Sequence, residues 1–307
     1  MDIFRRIRKN RYVCMVLLLL GCENEKLDYS YVPEDFRYDV QLRMTPVKNQ
    51  GRSELCWVYS IYGAIESEYL MRGDSVDLST DYAGRMFLEE QAREYFLSGG
   101  QTRMSLRGVG PMTIELGRRY GIVEQKDYSA SSPVDFFGLV ADIKGMADSL
   151  LVDGKGDVDN YMASVKDLLD RHIGVVPDNI DSLKIPSEVT ERYVTLMCNK
   201  KKPYGKELVL ELTDNRYGCK ALNVSPDTLV SRVSVSLKSG HAVMWEGGPN
   251  DNHAVVLVGV GHDRKGKRYF VGKNSWGTNN PTHGLVYIPK SYIRKFTALV
   301  VMNSLSK

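Results

Sequence analysis

The chain has 307 residues, of which 43% are hydrophobic and 26% charged, and its formal net charge is +3. This is the composition of a globular protein long enough for one large core, or for two lobes sharing a cleft. The positive excess belongs to the first 21 residues: without them 36 basic side chains face 37 acidic ones, so nothing in the charge argues for a nucleic-acid partner.

At the N-terminus, Arg5, Arg6, Arg8, Lys9 and Arg11 precede an apolar stretch from Val13 to Leu20. That stretch is much shorter than the ~20 residues needed to span a bilayer, and the pattern reads as a signal peptide over residues 1–21. Leu19-Leu20-Gly21-Cys22 resembles the lipobox of bacterial lipoproteins. The resemblance implies cleavage before Cys22, lipidation of that cysteine and a membrane-anchored protein in a bacterial cell envelope. The alternative is an ordinary secretory signal with an incidental cysteine. Glu23-Asn24-Glu25 resembles outer-membrane or surface sorting more than inner-membrane retention. Residues 22–37 read as a polar tether, and residues 38–303 as the folded domain.

The stretch Gln50-Gly51-Arg52-Ser53-Glu54-Leu55-Cys56-Trp57 is the most informative. A helix is expected from Cys56 to Met71, since Tyr59, Tyr62, Ala64, Ile65 and Tyr69 recur at spacings of three and four while Glu66 and Glu68 can face outward. A cysteine at a helix N-terminus lies against unpaired N–H groups and the positive end of the dipole, which favours the thiolate. Gly63 inside that helix either costs about 1 kcal/mol of helix propensity against alanine or marks close packing. Further helices are expected over Tyr82 to Phe96 and up to Tyr120-Gly121-Ile122. Residues 129–204 carry amphipathic signals at Val134 to Leu151 and Tyr161 to His172. The run Asp153 to Asp159 has a superficial likeness to a calcium loop, but Lys155 occupies a liganding position and no glutamate closes it. It reads as a solvated turn, and no metal or other cofactor is expected.

Strand patterns then follow at Leu208 to Leu212, His241 to Glu246, Ala254 to Val260, Arg268 to Lys273, Leu285 to Ile288 and Thr297 to Met302. A helix between the first two opens at Ser225-Pro226 and ends at Ser239-Gly240. His253 stands at the mouth of the apolar run Ala254 to Val260. Lys273-Asn274-Ser275-Trp276-Gly277 supplies an amide that can orient an imidazole, with Trp276 able to shield that bond from water. Of the five histidines, His241 lacks a following Asn-Ser-Trp and suits a structural or rim position. His172 closes a helix, and His262 and His283 lie in glycine-flanked, turn-like segments.

The segments VKNQGRSELCW, NHAVVLVGVG and KNSWG resemble, in order and local spacing, the three catalytic blocks of papain-like cysteine peptidases. The resemblance implies an α+β fold, a helical N-terminal lobe with a central cysteine helix facing a β-rich C-terminal lobe across the active-site cleft. It implies Cys56 as nucleophile, His253 as acid/base, Asn274 as orienting amide and Gln50 as oxyanion donor, acting on a peptide or protein substrate. Counting thirteen positions back from Gly121, it implies Gly108 as a cleft glycine that pairs with substrate backbone; a plain loop glycine and the rival pair Gly99-Gly100 stay open. Where the family usually has Cys-Gly-Ser-Cys-Trp, this chain reads Ser53-Glu54-Leu55-Cys56-Trp57. The disulfide made by the first of those cysteines cannot form, and the loop must be held otherwise. His253 lies 197 positions after Cys56, against roughly 130–150 in papain-type enzymes, so residues 129–204 are inserted material at the cleft rim or the lobe interface. The spacing and the missing cysteine place the resemblance nearer the bleomycin hydrolase and aminopeptidase C branch. Cys198 and Cys219 are left free to pair or not. The alternatives to peptide hydrolysis are acyl transfer to an amine by the same nucleophile, and a catalytically silent peptidase-like binding protein.

Overall fold

The computed structural model describes residues 26–152, 156–248 and 251–304. The signal peptide, Cys22 and the first half of the Asp153 to Asp159 turn lie outside the described residues. The expected α+β, two-lobe arrangement is observed: helices gathered toward the N-terminal half, a sheet in the C-terminal half, and α1 (Cys56–Met71) between them. The helical side holds α2 (Thr80–Leu97), α3 (Gly110–Tyr120), α4 (Phe136–Val152) and α5 (Val158–His172). Ser79 caps α2 through Tyr82 N, as its position before the apolar periodicity requires.

Helix α1 departs from the amphipathic reading. Glu66 is 1% and Glu68 8% exposed, so neither faces outward. The helix is central and covered on every side, and its two carboxylates are buried because each is paired. Glu68 meets His241 Nδ1 at 2.8 Å, which gives His241 the structural position expected of it. Glu66 meets Lys48 Nζ at 3.1 Å and Lys273 Nζ at 3.6 Å, and also accepts from Thr45 Oγ1 and from Leu78 N. Gly63 allows the approach of the sheet, because a Cβ there would sit 2.9 Å from Val256 Cγ1.

The sheet contains β1 (Arg37–Gln41), β2 (Tyr193–Met197), β3 (Glu207–Val209), β4 (Lys220–Asn223), β5 (Val243–Gly247), β6 (Ala254–His262), β7 (Arg268–Lys273), β8 (Leu285–Pro289) and β9 (Thr297–Asn303). Its order is β3-β4-β2-β9-β5-β6-β7-β8, with β1 pairing separately to β6. Only β2 and β4 run parallel; the other pairings are antiparallel. Strand β6 is buried along nearly its whole length, packed on one face by α1 and on the other by α7 (Pro226–Lys238). Ser225 caps α7 through Thr228 N and proline occupies its first turn. The seven-residue α8 (Lys290–Phe296) precedes β9. Strand β9 leaves the sheet at Asn303, at the Val243 end of β5, remote from Gly247 and the turn that carries His253.

The segment 129–204 packs into both halves of the fold. Its helices α4 and α5 pack on α2, fastened by the fully buried Arg85, whose guanidinium meets Asp170 at 2.7 Å and Gly174 O at 2.6 Å. Its last part, β2, lies between β4 and β9. Cys198 and Cys219 are both free thiols. Replacing Glu66 by Ala leaves the buried Lys273 with no ion-pair partner among the described residues, while Lys48 keeps Asp77. The expected cost is about 3 kcal/mol, measured as a lower midpoint in urea unfolding; an unchanged midpoint would count against the buried node.

Candidate active site

Cys56 is the first residue of α1, so its backbone N–H has no intrahelical acceptor. The preceding loop is tied to the opposite lobe: Gln50 N donates to Ser275 O at 2.8 Å, and Asn49 bridges to Trp276. Without the disulfide, three contacts hold the loop. Ser53 is buried, donating its N–H to Gln50 O at 3.1 Å and accepting from Leu55 N through Oγ. Glu54 adopts the left-handed conformation, φ 57°, unusual for a residue with a Cβ. Its carboxylate accepts from Arg107 Nε at 3.0 Å. With the Asn252 amide oxygen turned toward it, the same guanidinium also donates across to Asn252, at 2.6 and 3.0 Å. Arg107 therefore spans from two residues before Cys56 to the residue before His253.

His253 sits at the start of β6, 6% exposed. Its Nε2 lies 2.7 Å from Asn274 Oδ1, and that oxygen also accepts from Ser275 N at 2.8 Å. An atom accepting from a backbone N–H is the amide oxygen, so the imidazole donates from Nε2 and carries its lone pair on Nδ1. Trp276 stacks on the imidazole, centroids 4.4 Å apart and planes 24° off parallel. Ser275 Oγ donates to Gln50 Oε1 at 2.5 Å, which commits the Gln50 oxygen and leaves its NH₂ as the donor. The backbone N–H of Ala254, next to His253, is a polar neighbour of the Cys56 sulfur, as is that of Trp57. Cys56, His253, Asn274, Gln50 and Trp276 are thus brought to one place.

The charge state differs from the expectation. Burial pushes the Cys56 thiol up to about 12, the carboxylates of Glu246 and Glu54 push the same way, and the two N–H groups oppose them. Burial also lowers His253 below its usual value. The neutral thiol and neutral imidazole are favoured, because desolvation outweighs the helix-end effect. Part of that cover comes from the stretch read as a tether. Tyr29 packs edge-on to His253 at 5.5 Å and against Trp276 at 4.8 Å. Its buried hydroxyl has no hydrogen-bond partner among the described residues, and its own ionisation is driven up by burial and by Asp251, Tyr292 and Cys56.

Gly108 lies in the loop leading to α3, where a Cβ would fall 2.6 Å from the Trp57 ring; close packing therefore demands glycine, whatever its part in substrate binding. Gly99 and Gly100 have positive φ and follow the end of α2, a helix stop. His172 ends α5, His262 ends β6 beside Asp39 at 3.2 Å, and His283 sits in a turn. Among the described residues no group of three or more His, Cys, Asp or Glu is placed to hold a metal ion. The sequence reading missed Ser275, Arg107, Glu246 and Tyr29. Only Ser275 had a signal, its place inside KNSWG; the others acquire their positions from the fold.

Residues 225–298 match the papain family cysteine protease profile, a segment that contains His253 and Asn274 and not Cys56. The fold is similar to that of PepW from Lactobacillus rhamnosis HN001, with a TM-score of 0.67 at 16% identity over 88% of this chain and 82% of that one. Bromelain from Ananas comosus, in complex with the E64 inhibitor, gives 0.44 at 16% identity over 84% and 92%. Xylellain, a cysteine protease from Xylella fastidiosa, gives 0.44 at 16% over 90% and 91%. No curated protein matches the sequence. The assignment of the α+β papain-like fold rests on PepW.

A thiol held near 12 is mostly protonated at neutral pH. The rate of Cys56 alkylation should therefore climb about tenfold per pH unit through the neutral range. Tyr29→Ala should raise the rate at pH 7 and move the bend of the profile to lower pH. A wild-type profile already flat above pH 7 would contradict the neutral pair.

Proposed function

We propose that the protein is a cysteine peptidase in which Cys56, His253, Asn274 and Gln50 hydrolyse peptide bonds through a covalent acyl-enzyme. The single observation that supports this best is the Asn274–His253 bond, with its tautomer fixed by Ser275 N. It leaves Nδ1 as the base for the thiol proton. As substrate enters, the thiol passes its proton to Nδ1 and the sulfur attacks the scissile carbonyl. The oxyanion is received by the Cys56 N–H and the Gln50 NH₂. His253 then returns the proton to the leaving amine, and water hydrolyses the thioester by the same route reversed. Acyl transfer to an added amine is the competing outcome of that second half, and product analysis with and without amine separates them.

Cys56→Ala should abolish peptide cleavage and labelling by a thiol-directed epoxide. Gln50→Ala should lower kcat about 10²- to 10³-fold with little change in KM. Unchanged cleavage in Cys56→Ala would refute the reading.

We further infer a bacterial lipoprotein anchored through Cys22 to the envelope, supported by the basic N-terminus and Leu19-Leu20-Gly21-Cys22. No described helix is long and apolar enough to cross a membrane. Cys22→Ala should prevent lipid incorporation and move the protein from the membrane to the soluble fraction; unaltered membrane attachment would exclude the anchor. The 197-residue Cys56 to His253 spacing supports a place nearer the bleomycin hydrolase and aminopeptidase C branch.

A further inference from the structure

The chemistry above does not use Glu246, the one carboxylate on the strand beside the nucleophile's contact. In the β5–β6 ladder Glu246 stands directly opposite Ala254, whose N–H adjoins the Cys56 sulfur; directly paired positions have Cβ atoms about 5 Å apart. The sheet order β5-β6-β7 puts Asn274 and Trp276 on one flank of the strand that carries His253 and Glu246 on the other. The leaving amine takes its proton from His253 under Trp276, so the β5 flank is left to the acyl half of the substrate. One carboxylate oxygen of Glu246, Oε2, accepts from Gly110 N at 3.1 Å, and no Lys, Arg or His among the described residues pairs with the group.

The neighbouring charges are already matched. Arg107 is engaged by Glu54 and Asn252, and Asp214 by Arg103 at 3.2 Å. The side chain of Glu246 is only half-buried, although its carboxyl sits deep among protein atoms. Its ionisation shows the missing counter-charge: burial, helped by Asp214, pushes the carboxyl up to about 8 against the Gly110 N–H.

A bland alternative is that Glu246 caps α3, whose N-cap residue Val109 offers no side-chain acceptor and whose second residue is Pro111. One oxygen satisfies that role, and a neutral amide would satisfy it equally.

We propose that Glu246 is a specificity residue whose carboxylate receives a cationic group of the substrate, an ammonium or a guanidinium, on the acyl side of the bond attacked by Cys56. The inference rests on the peptidase reading and deepens it. Two sources share this chemistry, a free α-amino terminus and a Lys or Arg side chain.

The test compares wild type with Glu246→Gln, which keeps the Gly110 bond. The substrates are peptides with free or acetylated N-termini, carrying Lys, Arg, Leu or Gln in the two positions before the scissile bond. Wild type should prefer cationic substrates, and in the variant the ratio of kcat/KM on cationic to that on neutral substrates should fall about 10- to 100-fold. A preference removed by acetylation assigns the α-amino group; one that persists in blocked Lys and Arg peptides assigns the side chain. Equal ratios of cationic to neutral cleavage in the two proteins would overturn the proposal. Binding of the same peptides to Cys56→Ala, with and without Glu246→Gln, separates the two readings. A charge-dependent affinity without any wild-type cleavage sinks the peptidase and keeps the cation site; cleavage without charge dependence does the reverse.

Discussion

One buried cluster of opposite charges sets the geometry on which the site depends. Glu66 near the end of α1 is gripped by Lys48 from the N-terminal loop and by Lys273 from β7, with Thr45 bridging Lys273 and Glu66. Lys273 immediately precedes Asn274, and Glu66 lies on the same helix as Cys56. Cys56 and Asn274 are thus tied through a node of charges that cannot separate without leaving a cation or an anion stranded among apolar neighbours. A second tie, Glu68 to His241, fixes the same helix to the chain entering β5. With α1 pinned at these two points, the position of the sulfur relative to β6 follows from the sheet register.

Burial then decides the resting chemistry. A helix end and an imidazole both favour a thiolate, yet the cover over the site is thick enough that neither wins, and the Glu54 carboxylate deepens the disadvantage. The resting state is poised rather than charged. Anything that brings polarity into the cleft lessens that desolvation. The Gln50–Ser275–Asn274 chain links the Gln50 and Asn274 amides across the lobes, so both are set by one hydroxyl residue.

The motifs were legible where the chemistry is local. Cys56 ahead of an apolar helix, His253 at a strand mouth and Asn274 before Trp276 carry their meaning in adjacent residues, and the structure assembles them. Glu66 and Glu68 were misread because periodicity locates apolar positions and says nothing of a helix wrapped on all sides, where a carboxylate is inside if its partner is. Strand β4, Lys-Ala-Leu-Asn, carries residues depleted in strands and exists because β2 and β3 flank it. The seven residues of α8 are too few to show a period. Arg107, Glu246 and Tyr29 are distant in sequence from the residues they adjoin, and only the closed fold gives them neighbours.

The contact between Tyr29 and the His253–Trp276 pair sets a limit on reach. Tyr29 lies seven positions after Cys22, and a fully stretched chain over seven steps covers about 25 Å. If Cys22 carries an acyl chain, His253 and Trp276 lie within a few tens of ångströms of the bilayer surface. Substrates would be restricted to polypeptide that itself lies near the membrane. Any pull along so short a leash would be felt first by the aromatic ring resting on the general base.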